Sequence, residues 1–131
     1  MKPEDVEFIN NTLKRFNGSS LEHRRAELYD IEDLAKRLVE KRRGLRRLIK
    51  QNEQRLSVGY GDDIKLKSDI YRARHTLPFI EEAISRIREI KCFKERLLSQ
   101  LEQGESVSQS TLSADQELTK KWKNLYSLAS E

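Results

Sequence analysis

The sequence predicts an all-α chain, an antiparallel three-helix bundle with one short extra helix in front, and three observations lead there. Apolar residues recur at alternating spacings of three and four over long stretches, the period of a helix with one buried face. Charged residues make up 37% of the chain and aromatics 7%, which suits long helices that bury a narrow stripe and keep their other faces wet. Five Gly and two Pro in 131 residues are too few for a sandwich or barrel, which needs a turn every few positions. That length gives one core and one domain.

Pro3 to Phe16 is the first predicted helix, with Val6, Ile9, Leu13 and Phe16 on one stripe and Asn17-Gly18 as its stop signal. Residues 1–18 are therefore expected to form an amphipathic extension and residues 19–131 the bundle. The second helix, 20–57, opens on a capping box of Ser19 and Glu22. Its seam runs Leu28, Ile31, Ala35, Leu38, Leu45, Ile49 and Leu56, widened by Leu34 and Leu48 and interrupted by Arg42 and Asn52. Val58-Gly59-Tyr60-Gly61 reads as a tight reversal, and Asp62-Asp63 as the cap of a third helix, 63–103. Its seam, Leu66, Ile70, Ala73, Leu77, Ile80, Ala83, Ile84, Ile87, Ile90, Leu97 and Leu101, keeps phase through Pro78. A kinked but continuous helix is therefore expected, ended by Gly104. After a Ser-rich linker, Ser113 or Ser110 caps a last helix, 111–129, carrying Leu118, Trp122, Leu125 and Ala129. Short connections make the two long helices a hairpin, with the last helix covering only the half near Gln103.

Chemistry is hard to place on this chain. Cys92 is alone, which excludes an internal disulfide and fits a reducing, cytosolic or nuclear compartment. No apolar run spans a membrane, and Met1 to Phe16 lacks the unbroken apolar core of a secretory signal. His23 and His75 have no second ligand at zinc spacing, and no Gly-rich loop precedes a Lys-Ser or Lys-Thr pair. Gly61-Asp62-Asp63 begins a helix and is read as a cap rather than a metal site. No nucleophile has a base nearby, so no enzyme, cofactor or metal is expected.

Binding is easier to place. From Lys36 to Lys50 eight basic residues face one acid, Glu40, over about four turns. Lys36, Arg43, Arg47 and Lys50 point away from the seam, and Arg46 belongs to the same run. Such a stripe either is a solvated face or steers an acidic partner. Tyr71 and Phe79 fall off the seam of their helix. They either pack under a short helix or form an exposed binding patch. Arg42 and Asn52 within the seam fix register, or mark where it opens.

The order of features resembles tubulin-binding cofactor A, the family of small helical chaperones of β-tubulin folding. The resemblance rests on Leu34-Ala35-Lys36-Arg37-Leu38-Val39-Glu40-Lys41, on Asp63-Ile64-Lys65 after the turn, and above all on Arg74-His75-Thr76-Leu77-Pro78 followed by the periodic Ile80 to Ile90. It covers roughly Leu28 to Gln103; residues up to about Ser20 have no counterpart. It implies a monomeric or weakly dimeric bundle in the cytoplasm, associated with the cytoskeleton. Such a chaperone captures quasi-native β-tubulin after chaperonin release and hands it to later tubulin-folding cofactors without nucleotide. Two other classes remain open: a basic hairpin binding nucleic acid, and a structural coiled-coil adaptor.

Overall fold

Four helices form in the computed structural model, which describes the backbone of residues 2–130 and the side chains of residues 2–5 and 21–129. They are α1 (Pro3–Ser57), α2 (Asp63–Glu102), α3 (Gln109–Asn124) and α4 (Tyr126–Ser130). No strand occurs among the described residues. The two long helices pack against each other as an antiparallel hairpin, α3 lies on α2, and α4 closes against α1.

α1 is one helix, and the expected stop at Asn17-Gly18 does not occur. Nucleating a second helix costs far more than carrying an existing one through Asn and Gly, at about 1 kcal/mol for the Gly. Ser19 is consequently an interior residue, not a cap; Lys2 is the N-cap, with Pro3 at the first helical position. The docking of Val6, Ile9, Leu13 and Phe16 lies outside the described residues. Arg25 pairs with Glu102 near the end of α2, so the first six turns of α1 precede the hairpin.

Both long helices end on the same device. Gly59 and Gly104 take positive φ of 69° and 73°, and each lets the chain fold back on its own helix. Tyr60 N–H then donates to the Arg55 carbonyl at 2.9 Å and Glu105 N–H to that of Gln100 at 3.0 Å, capping otherwise orphan acceptors. Asp62 caps α2 as expected, its carboxylate accepting from the Ile64 and Lys65 amides. The last helix departs from expectation at both ends. Ser108, not Ser113 or Ser110, is the cap, accepting from Thr111 N–H at 3.2 Å. Leu125 then interrupts the helix, and α4 turns in to cover α1.

The core runs along the seam, with Ile31, Leu34, Leu38, Ile80 and Ile87 fully buried and Trp122 of α3 closing it. Leu34, expected only to widen the stripe, sits at its centre because α3 and α4 cover that flank. α2 continues unbroken across Pro78, whose ring is exposed. The carbonyl it displaces, that of Arg74, belongs to an exposed residue at the helix surface. Pro78→Ala should restore that hydrogen bond and raise stability by up to ~3 kcal/mol, read as a higher thermal midpoint with unchanged helicity.

Candidate partner-binding surface

α3 and α4 cover one half of the hairpin and leave the other bare. α3 is held by a buried knot of charge. Lys94 of α2, only 4% exposed, donates to Asp115 Oδ1 at 2.6 Å and to Thr119 Oγ1 at 2.5 Å, and meets Glu27 Oε1 at 3.0 Å. Arg24 pairs with the second Asp115 oxygen at 2.9 Å, and Trp122 Nε1 donates to Glu27 Oε2 at 3.3 Å. Two cations and two carboxylates thus neutralise one another and tie α1, α2 and α3 together. This cluster was not legible in the sequence, although Lys94 fills the seam position between Ile90 and Leu97.

Farther along, Lys41 Nζ donates to the Leu128 carbonyl at 2.6 Å, and Tyr126 lies near Asp30 and Asp33. Burial first, then those carboxylates, raise the Tyr126 phenol above its ordinary pKa, with Arg37 opposing. Cover ends here. Between Arg43 and the turn only Asn52 of α1 is buried, and α2 contributes Leu66, Ile70 and Ala73. Of the two polar seam residues, Asn52 is therefore enclosed and Arg42 half-exposed.

This open half differs from the rest of the molecule in charge and in surface. Residues 42–79 hold ten Lys or Arg against four Asp or Glu, a net +6, while the whole chain carries +4. Of the large apolar side chains exposed among the described residues, Val58, Tyr60, Ile64, Tyr71 and Phe79 lie here, and only Tyr29 lies elsewhere. Tyr71 and Phe79, 72% and 54% exposed, do not pack under a short helix. They flank His75 in a ladder along one face of α2, with ring centroids 6.2 Å and 5.9 Å apart.

The expected site residues divide between two edges. Arg46 pairs with Glu81 at 2.8 Å, Arg74 pairs with Glu53, and Arg43 lines a groove with Lys36, Arg88 and Lys91. Positions 74, 81 and 88 are one heptad apart, so these contacts mark a single edge of the hairpin. Arg47 and Lys50 are exposed on α1 beside it and, like Arg43 and Lys36, form no ion pair among the described residues. Arg37, from the same run, is paired with Asp33 at 3.0 Å. The aromatic ladder belongs to the other edge: Arg86 and Phe93, seven and fourteen residues beyond Phe79, line the groove against α3. The basic stripe and the aromatics are thus not brought together, and Arg46 is not free.

Among the described residues no three His, Cys, Asp or Glu side chains could hold a metal ion, and no helix is long and apolar enough to cross a membrane. No protein-family model, curated protein or solved structure matches the chain.

Proposed function

We propose that this chain is a non-enzymatic binding protein that captures an acidic protein surface with the open half of its hairpin. The observation that carries this reading is the confinement of a net +6 and of most exposed large apolar side chains to the half that no third helix covers. Aromatic and Arg side chains are the usual energetic anchors of interfaces, and a one-signed field raises encounter rates. The resemblance to tubulin-binding cofactor A supplies the specific partner. On it, the protein holds quasi-native β-tubulin in the cytoplasm as a monomer or weak dimer and passes it to later cofactors. A nucleic-acid reading draws on the same ten cations, but Glu81, Glu82, Glu89 and Glu95 follow on α2 and break up any longer phosphate track.

Mixing the purified chain with tubulin dimers tests the proposal directly. β-Tubulin should co-elute with it, free of α-tubulin; recovery of RNA or DNA from a lysate instead selects the nucleic-acid reading. Reversing Arg43, Arg47 and Lys50 to Glu should slow association about tenfold at low salt, because these unpaired cations steer the encounter. The difference should shrink at high salt as screening removes the field. Capture at the wild-type rate by a folded triple variant makes the stripe a solvated edge only.

A further inference from the structure

The basic stripe explains approach, but it does not say what fits. A shallow groove lies between α1 and α2 on the opposite edge of the open half, lined by Leu45, Leu48, Asp69, Arg72, Ala73 and Thr76. Its place in the hairpin identifies its occupant. Leu48 is one heptad beyond Lys41, which holds the Leu128 carbonyl. Thr76 and Ala83 precede by successive heptads Ile90, which lines the groove against α3. The groove is therefore the continuation of the track that α3 and α4 already occupy.

We infer that this groove receives an acidic amphipathic helix of the partner, which completes the three-helix bundle over the open half. Three features argue for that occupant. A helix already fills the same track on the closed half, so the geometry suits a helix better than a strand. Arg72 in its lining, and Arg55 and Lys65 farther toward the turn on α1 and α2, form no ion pair among the described residues, and Asp69 is the one acid in the lining. An acidic helix therefore gains there, whereas a second copy of this chain brings another +6 against the first. Finally, Gly44, one turn before Leu48, sits exposed inside α1, and a Cβ built there meets nothing within 4 Å. A glycine costs an exposed helix about 1 kcal/mol against Ala, and no neighbour within this chain requires one. One turn from the lining residue Leu48, it leaves room for a partner backbone to approach α1 closely.

This inference rests on the open half being the binding end, and not on the partner being β-tubulin. Its test therefore uses a probe independent of tubulin: a synthetic amphipathic peptide of about five turns with Leu at i, i+3, i+4 and i+7 and Glu elsewhere. A second peptide carries Lys in place of every Glu. The acidic peptide should shift the backbone amide signals of Leu45, Leu48, Ala73 and Thr76, and the Lys peptide should not. Leu48→Glu should weaken binding by about tenfold, the size expected for a central apolar contact. Gly44→Glu, at a position with space around it, should do the same without disturbing the fold. The inference is overturned if the Lys peptide binds equally, or if the shifts fall only on Arg43, Arg47 and Lys50. It is also overturned if the chain self-associates through the groove in a way that Leu48→Glu abolishes, or if an oligonucleotide outcompetes the peptide there. Peptide binding with no β-tubulin capture removes the named partner and leaves the groove's chemistry standing.

Discussion

Replacing Lys94 with Met should cost about 3–5 kcal/mol, among the largest losses available to a single substitution in this chain. The ammonium is enclosed with Glu27, Asp115 and Thr119, and only Arg24 shares the neutralising role. Without Lys94 two carboxylates stay buried against one guanidinium, and a charge cannot be left uncompensated away from water. Urea unfolding followed by helicity gives the size of the loss. Trp122, the one tryptophan, reports its place, since its Nε1 donates to Glu27 and its ring closes the core. Its emission should shift to the red before the hairpin melts. Adding Glu27→Gln to Lys94→Met should recover part of the loss by restoring neutrality, a coupling that a double-mutant cycle isolates. A loss below about 1 kcal/mol is the size of an exposed ion pair and indicates that water reaches the cluster.

Ile80→Ala and Leu38→Ala should each destabilise by about 2–5 kcal/mol. Both side chains are fully buried in the same cluster, so truncation removes apolar contact and leaves a void that the helices cannot close without breaking the seam. Ile70→Ala should fall at the low end of that range, because a two-helix seam collapses around a gap more easily than a three-helix one. Amide exchange should follow the same gradient. Protection is expected to be highest near Leu34, Leu38, Ile84 and Ile87, and to decay through Asn52 and Leu66 toward the turn. Equal costs at Ile70 and Ile80 mean that the open half is as firmly packed as the covered one.

The hairpin was legible in the sequence because long-range periodicity carries it. Ile31, Leu38, Ile80 and Ile87 recur in phase over many turns, and the enclosing signals at Gly59, Asp62 and Gly104 are strong local ones. Short-range signals failed where a longer-range term outweighed them. Asn17-Gly18 has the composition of a helix stop, yet the helix on either side carries the backbone through. Ser108, Ser110 and Ser113 offer nearly equivalent caps, and contacts of α3 with the hairpin choose among them. Lys94 occupies the seam position between Ile90 and Leu97, but its type gives no sign of what it meets there. Its partners come from two other helices, and nothing near it in the chain announces them. Exposure of Tyr71 and Phe79 depends on which stretch of the hairpin α3 and α4 cover, which no property of α2 reveals.

The buried charge knot also works as a length gauge. α3 meets the hairpin at the level of Lys94, and the chain from Asp115 to Leu128 can reach only as far as Lys41. Sliding that anchor one heptad toward the turn would cover roughly 10 Å more of the hairpin at 1.5 Å per residue, and close the groove at Leu48. Sliding it the other way would strip Leu38 and Ile80 of their third neighbour. A single lysine position on α2 therefore divides the hairpin between the span that α3 and α4 cover and the span they leave open.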